Sequence, residues 1–164
     1  MYSNNSEKKI SRPISLSDLQ KMKDNNEKFT CLTSYDATFT HIMNAAGIET
    51  ILIGDSLGMV IQGKDSTLPV TIEDMCYHTA AVKNGNTNAF ILADMSFMTY
   101  NSVEHALENA SKLMQAGANM VKIEGAAWLK DIIQALSMRG IPVCAHLGLT
   151  PQFVNKLGGY KVQG

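Results

Sequence analysis

The sequence predicts a parallel α/β fold, specifically the first five or so units of a (β/α)8 TIM barrel within one domain. Short apolar runs alternate with helical patterns along the chain, and four of the five runs end at an ionisable side chain. Strict alternation with short connections is typical of a parallel sheet with right-handed crossovers. Because eight such units take about 250 residues, a chain of 164 residues is expected to hold part of a barrel.

The apolar runs have the length and the Ile, Val, Leu and Phe content of strands that are buried on both faces. No G-x-G-x-x-G turn follows the first runs, and no G-x-x-x-x-G-K-[ST] loop occurs in the chain. These absences disfavour a dinucleotide-binding sheet and a phosphate-loop fold. The predicted strands are 29–34, 50–54, 89–93, 119–123 and 142–145, and the predicted helices between them are 37–46, 72–84, 103–116 and 127–138.

Residues that favour helix ends flank these helical stretches. Residues 1–14 form a predicted polar N-terminal tail, and residues 15–164 form the predicted N-terminal part of the barrel domain. Ser15 and Asp18 have the spacing of a capping box and open a short amphipathic helix. The other predicted N-caps are Asp36, Thr71 and Ser102, and the predicted glycines just past helix ends are Gly47, Gly85, Gly117 and Gly140.

The composition excludes several classes of protein. The formal net charge is −1, from 14 basic and 15 acidic residues, so we expect neither a nucleic-acid nor an anionic-membrane partner. No apolar run reaches the roughly 18 residues that a membrane helix needs. The three cysteines are scattered, which indicates a reducing compartment rather than a disulfide framework. The N-terminus lacks the features of a targeting signal, so the expected location is cytoplasmic.

The predicted strand ends carry most of the candidate chemistry. Asp55, Asp94, Lys122 with Glu124, and His146 lie at the carboxyl ends of four of the five apolar runs. In parallel α/β folds, function gathers at this end of the sheet. Since a buried charge is costly unless it is paired or binds a metal, the recurrence at equivalent positions predicts a functional site.

The alternation of side chains along a strand predicts that each acid shares a face with apolar residues below it. On this interpretation every inward row runs from an apolar core to an acid at the rim. The predicted rows are Ile51, Ile53 and Asp55; Phe90, Leu92 and Asp94; and Met120, Lys122 and Glu124.

The ligand types in this cluster favour Mg²⁺ over zinc. Three carboxylates without a Cys or His pair form an oxygen-rich site, which suits a hard cation that also accepts substrate oxygens. Lys122 has two possible roles: it holds an anionic substrate carboxylate, or it balances the charge of Glu124.

Several motifs resemble those of the ketopantoate hydroxymethyltransferase family, and the similarity runs from about residue 15 to the last residue. The motifs are GDSLGMVIQGKDSTLPVT (54–71), YHTAAV (77–82), LADMSFMTY (92–100), AGANMVKIEG (116–125), PVCAHLGLTPQ (142–152) and GGYKVQG (158–164). The resemblance implies a barrel of the phosphoenolpyruvate/pyruvate type. It also implies that the Gly158–Tyr160 loop covers the active site.

The resemblance also implies roles for individual residues. Asp55, Asp94 and Glu124 would organise Mg²⁺, directly or through water. Asp55, Ser56, Asp94 and Lys122 would bind the substrate. His146 would be the active-site histidine. The family's catalytic base is a glutamate from a later βα unit, and no residue in 1–164 matches it.

The activity implied by the resemblance belongs to pantothenate and coenzyme A biosynthesis. A one-carbon unit passes from 5,10-methylenetetrahydrofolate to 3-methyl-2-oxobutanoate, and the product is 2-dehydropantoate. Small molecules are the implied partners, and the implied assembly is a homodecamer.

Two alternatives remain open at this stage. The first is another Mg²⁺-dependent oxo-acid lyase or mutase of the same superfamily, although the K-K-C-G-H-like loop expected of an isocitrate-type lyase is absent. The second is a truncated, non-catalytic product that keeps the front half of the fold.

Overall fold

The computed structural model describes residues 12–160 and residue 162. Their strands form one parallel sheet in chain order, β1-β2-β3-β4-β5. This order confirms the predicted topology, and the predicted runs differ from the strands by at most two residues at either end. The strands are β1 (Cys31–Thr33), β2 (Thr50–Ile53), β3 (Phe90–Asp94), β4 (Met120–Glu124) and β5 (Val143–His146).

Helices connect successive strands, as predicted, and the predicted N-caps are confirmed. Asp36, Thr71 and Ser102 each accept a hydrogen bond from the backbone three residues further on. Two four-residue helices, α3 and α7, were not predicted because they are too short to show an apolar period. The helices are α1 (Leu16–Asp24), α2 (Ala37–Ala45), α3 (Leu57–Val60), α4 (Ile72–Gly85), α5 (Val103–Ala116), α6 (Lys130–Met138) and α7 (Val154–Leu157), with 3-10 turns at Ala127–Leu129 and Pro151–Phe153.

The prediction for Gly85 was wrong. Gly47, Gly117 and Gly140 have positive φ angles, as expected of glycines that follow a helix. Gly85 is instead the last residue of α4 itself. A Cβ atom at this position would lie 2.3 Å from the carbonyl oxygen of Ala37, so the reason for glycine here is the close approach of α4 to the start of α2.

The helices cover one face of the sheet and form the hydrophobic core with it. Ile51, Ile91, Val121 and Ile123 are almost completely buried on this face, against helical side chains such as Leu113. The opposite face carries Leu92, Asp94, Met120, Lys122 and Glu124 by alternation along β3 and β4. The predicted rows on these two strands are therefore confirmed.

The predicted row on β2 was wrong. Ile51 pairs with Ile91, and Ile53 pairs with Ala93, so Ile51 and Ile53 lie on the helix-covered face. β2 ends at Ile53, and the chain turns before it reaches Asp55. The alternation of a strand does not extend through a turn, which explains why Asp55 joins Asp94 on the opposite side.

The N-terminal segment is tied to the fold from Arg12 onward. The Arg12 guanidinium pairs with Asp18 at 2.7 Å, and the Ile14 amide donates to the Asn88 carbonyl oxygen at 2.8 Å. The capping box of Ser15 and Asp18 is present at the start of α1. Most of the predicted tail, residues 1–11, lies outside the described residues.

Two sequence-based exclusions concern membranes and disulfides. Among the described residues, no helix combines the length and hydrophobicity needed to cross a bilayer. Cys31, Cys76 and Cys144 are free thiols, in agreement with the prediction that they form no disulfide framework.

Candidate active site

The carboxyl ends of β2, β3, β4 and β5 bring the predicted site residues together. Asp55, Asp94 and Glu124 are buried, with relative exposures of 2–4%. Lys122 and His146 are partly buried beside them. Buried charges of this kind require partners, and the contacts that follow identify those partners.

Lys122 lies between two of the acids. Its Nζ atom is 2.6 Å from Asp94 Oδ1 and 3.7 Å from Glu124 Oε1. Burial by itself would lower the pKa of the Lys122 ammonium, but the charge of Asp94 and the hydrogen bond to it outweigh burial, so the pKa lies above its ordinary value. Lys122 is therefore a fixed positive charge at the centre of the cluster.

Asp55 joins the cluster through the turn that follows β2. Its backbone amide donates to Asp94 Oδ2 at 3.2 Å. Burial, and secondly the negative charge of Asp94, raises the pKa of the Asp55 carboxyl to about 7. An additional cation near Asp55 would favour its ionised form.

Glu124 has a partner at each carboxylate oxygen. His146 Nδ1 lies 3.0 Å from Oε1, and the backbone amide of Gln152 donates to Oε2 at 3.1 Å. Since the Lys122 ammonium is also near Oε1, Glu124 is held in one orientation from three directions.

Ser56 lies beside the cluster and contacts a residue that the sequence analysis did not single out. Its Oγ atom is 2.9 Å from the hydroxyl oxygen of Tyr35, which follows β1. A Cβ atom on Gly54 would lie 3.0 Å from Ser56 Oγ and 3.6 Å from Asp94 Oδ2. Tyr35 and Ser56 therefore form a hydroxyl pair at the same edge of the sheet as the acids.

Two further residues of the cluster were missed. Gln152 and Tyr100 are buried, and both form hydrogen bonds with the acid cluster or its backbone. Neutral side chains in the loops after β3 and β5 carry no charge pattern, so strand-end reasoning overlooks them. Their only signal was their place within the motifs at 92–100 and 142–152.

The hydrogen bonds of the cluster leave one of its carboxylate oxygens without a donor among the described residues. Within residues 12–160 and 162, no group of three or more His, Cys, Asp or Glu side chains is placed to hold a metal ion. Both oxygens of Asp94 and of Glu124 accept hydrogen bonds from described residues, as does Asp55 Oδ2. Asp55 Oδ1 has no such donor among them, so it is the carboxylate oxygen most available to a cation.

Solved structures with the same fold include barrel proteins of one superfamily. A phosphonopyruvate hydrolase, solved with oxalate and Mg²⁺, matches with a TM-score of 0.66 at 13% identity, over 77% of this chain and 50% of its own. A 2,3-dimethylmalate lyase of the PEP mutase/isocitrate lyase superfamily matches with a TM-score of 0.61 at 17% identity, over 79% of this chain and 51% of its own. At these identities the likeness shows the fold: the five βα units correspond to about half of such a TIM barrel.

Sequence relatives are much more similar. A protein of Marinomonas sp. named 3-methyl-2-oxobutanoate hydroxymethyltransferase is 75% identical over 164 residues, which is the whole chain and 60% of that relative. A protein of Marinobacter nauticus with the same name is 62% identical over 151 residues, or 92% of this chain and 57% of the relative. The chain thus spans less than two thirds of the relatives that it matches. The family model described as ketopantoate hydroxymethyltransferase matches residues 13–164, and the chain belongs to that family.

Proposed function

We propose that this chain provides the metal- and oxo-acid-binding part of a 3-methyl-2-oxobutanoate hydroxymethyltransferase. The observation that carries the proposal is the buried cluster of Asp55, Asp94, Lys122 and Glu124 at the strand ends. The names of the relatives at 75% and 62% identity support the same activity. Because the chain covers 60% and 57% of these relatives, the complete reaction is proposed for the whole protein.

In the proposed site, Asp55 and Asp94 hold Mg²⁺. The support is the free Asp55 Oδ1 atom and the excess of carboxylates over cations in a buried place. When bound, Mg²⁺ supplies a Lewis acid that polarises the keto group of the substrate. Both oxygens of Asp94 and of Glu124 already accept hydrogen bonds, so we propose that these two acids contribute to the Mg²⁺ site by exchanging one such bond for the cation or through a bridging water.

The remaining residues position the oxo acid and its protons. Lys122 remains charged and attracts the substrate carboxylate, and Ser56 and Tyr35 supply hydroxyl groups beside it. His146 is held by Glu124 through its Nδ1 atom, and we propose that its second ring nitrogen forms a hydrogen bond with the ligand.

The proposed transfer forms one carbon–carbon bond. Water first takes over the methylene carbon of 5,10-methylenetetrahydrofolate, so that both of its carbon–nitrogen bonds break, tetrahydrofolate leaves and a one-carbon unit at the formaldehyde level remains. A base removes the proton from C3 of 3-methyl-2-oxobutanoate, and that carbon attacks the one-carbon unit. The oxygen of the one-carbon unit takes up a proton and becomes the hydroxyl group of 2-dehydropantoate. The family resemblance places the base on a glutamate for which residues 1–164 have no match.

The class of substrate, the cellular location and the oligomeric state are also part of the proposal. Small-molecule substrates and a homodecamer are proposed from the resemblance, and a cytoplasmic location is proposed from the scattered cysteines and the N-terminal sequence. The support for a lyase or mutase activity is fold likeness at 17% identity to a 2,3-dimethylmalate lyase and at 14% identity to a phosphoenolpyruvate phosphomutase, so we do not favour it.

A chimera tests the proposed activity directly. The chain is joined to the region of the Marinomonas relative that lies beyond the match, and 2-dehydropantoate formation is measured with Mg²⁺ and both substrates. We expect turnover, its loss in Asp55→Ala, and its retention in Asp65→Ala, which changes an exposed loop acid. A folded chimera without turnover, or an active Asp55→Ala chimera, would contradict the proposal.

A further inference from the structure

We propose that Gln152 and Tyr100 are positioning residues that fix the orientation of Asp55 and Glu124 for ligand binding. The inference rests on the proposed function for the identity of the ligands, Mg²⁺ and an oxo acid. It concerns neutral side chains to which neither the charge pattern nor the strand ends gave a role.

Gln152 forms hydrogen bonds with two of the acids, Asp55 and Glu124. It is 3% exposed and lies in the 3-10 turn after β5. Its side-chain Nε2 atom donates to Asp55 Oδ2 at 2.8 Å, and its backbone amide donates to Glu124 Oε2 at 3.1 Å. One residue therefore holds two carboxylates that lie at the carboxyl ends of two different strands, β2 and β4.

The orientation of the Gln152 amide is determined by its neighbours. Nε2 also lies 2.9 Å from the Met95 carbonyl oxygen, which can only accept. The Gln152 Oε1 atom then faces the Tyr100 hydroxyl at 2.5 Å and accepts its hydrogen bond. With the opposite orientation of the amide, the contacts to Met95 and Asp55 would each place two acceptors together.

Tyr100 connects this amide to the backbone of β4. Its hydroxyl oxygen accepts a hydrogen bond from the Glu124 amide at 3.2 Å while its proton points to Gln152. The ring is stacked on Trp128, with centroids 6.4 Å apart and an interplanar angle of 7°. Burial raises the pKa of the Tyr100 hydroxyl, so it remains a donor.

These hydrogen bonds fix the direction of Asp55 Oδ1, the carboxylate oxygen without a donor among the described residues. Because Gln152 holds Oδ2, the carboxylate cannot rotate without losing that bond, and Oδ1 stays directed away from the amide. Outer partners of this kind orient metal ligands, and their loss typically lowers metal affinity by about 10–100-fold.

The test compares Mg²⁺ affinity with thermal stability in the full chain. Gln152→Met keeps a side chain of similar length without the amide, and Tyr100→Phe keeps the ring without the hydroxyl. Gln115→Met and Tyr77→Phe are matched controls at exposed positions. Calorimetric titrations with Mg²⁺, alone and with 3-methyl-2-oxobutanoate, are made well below each melting temperature.

We expect Gln152→Met to weaken Mg²⁺ binding by about 10–100-fold while the protein still melts cooperatively. Tyr100→Phe should weaken it less, and the two controls should match the wild type. If Gln152→Met does not fold, Tyr100→Phe, which keeps the buried ring and removes only the hydroxyl, decides the matter.

Unchanged Mg²⁺ affinity in folded variants would overturn the positioning role, even if their melting temperatures fall. The result for the oxo acid separates this inference from the proposed function. A wild-type chain that binds Mg²⁺ but not 3-methyl-2-oxobutanoate would count against the proposed substrate, and the Mg²⁺ comparison would still decide the role of Gln152.

Discussion

Lys122 and Asp94 form an ion pair of 2.6 Å whose side chains are 16% and 5% exposed. The pair is formed between neighbouring strands, since Asp94 and Lys122 are direct partners in the register of β3 and β4. Its position beside Glu124 makes Lys122 the cation that compensates two buried acids.

Removal of this cation should destabilise the fold. Lys122→Met leaves Asp94 and Glu124 buried without their shared partner, and the loss of one member of a buried pair costs about 3–5 kcal/mol. Urea unfolding at pH 7 measures the change. Lys112→Met, which removes the solvent-exposed pair with Glu108, should have a much smaller effect because water and salt screen that pair.

The double variant Lys122→Met with Asp94→Asn provides the internal check. It removes both charges of the pair, so its unfolding free energy should lie above that of Lys122→Met alone. Equal destabilisation by Lys122→Met and Lys112→Met would refute the assignment of a buried ion pair.

Gly85→Ala should be destabilising although it lies in a helix, where alanine is normally better than glycine by about 1 kcal/mol. The new Cβ atom would clash with the carbonyl oxygen and backbone of Ala37. Overpacking of this kind typically lowers the free energy of unfolding by about 1–3 kcal/mol. Thermal unfolding compares it with Asn84→Ala, at the exposed preceding position. A stabilised Gly85→Ala variant would show that α4 does not approach α2 so closely.

The capping box at Thr71 should contribute stability that depends on pH. Hydrogen bonds from the Thr71 backbone, and more weakly from its hydroxyl, lower the pKa of Asp74 below its ordinary value. A depressed pKa means that the stabilisation is complete above the unfolded-state pKa of about 3.9 and is lost as the pH falls through the folded-state pKa.

Asp74→Asn should therefore destabilise the chain near pH 7, by no more than about 0.3–1 kcal/mol because solvent screens the largely exposed carboxylate, and the difference from wild type should shrink near pH 3. Urea unfolding at both pH values measures it, with Asp131→Asn on the exposed side of α6 as the control. A difference that stays constant between the two pH values would contradict the ionised capping box.

The sequence predicted the topology well because each strand and helix carries its own periodic pattern. Strand-end reasoning also brought Asp94, Lys122 and Glu124 together, since these residues lie on regular strands. It gave the wrong phase for β2, because the turn after Ile53 redirects Asp55. Turn geometry depends on contacts between distant residues, such as the bond from the Asp55 amide to Asp94, and these have no local signature.

The neutral members of the cluster were harder to predict for a different reason. Gln152 lies 97 positions after the acid that it contacts through its side chain, and glutamine occurs in many loops without such a role. The role of Gln152 becomes visible only in the folded structure, where the turn after β5 lies beside the turn after β2.

The central claim is that Asp55 and Asp94 bind a cation together with an oxo acid, and one calorimetric titration tests it most directly. The full chain is titrated with 3-methyl-2-oxobutanoate, with and without saturating Mg²⁺, and Asp55→Ala is treated in the same way. We predict that Mg²⁺ tightens oxo-acid binding by roughly tenfold or more in the wild type and has no effect in Asp55→Ala. Oxo-acid affinity that is the same with and without Mg²⁺ in the folded wild-type chain would contradict the claim.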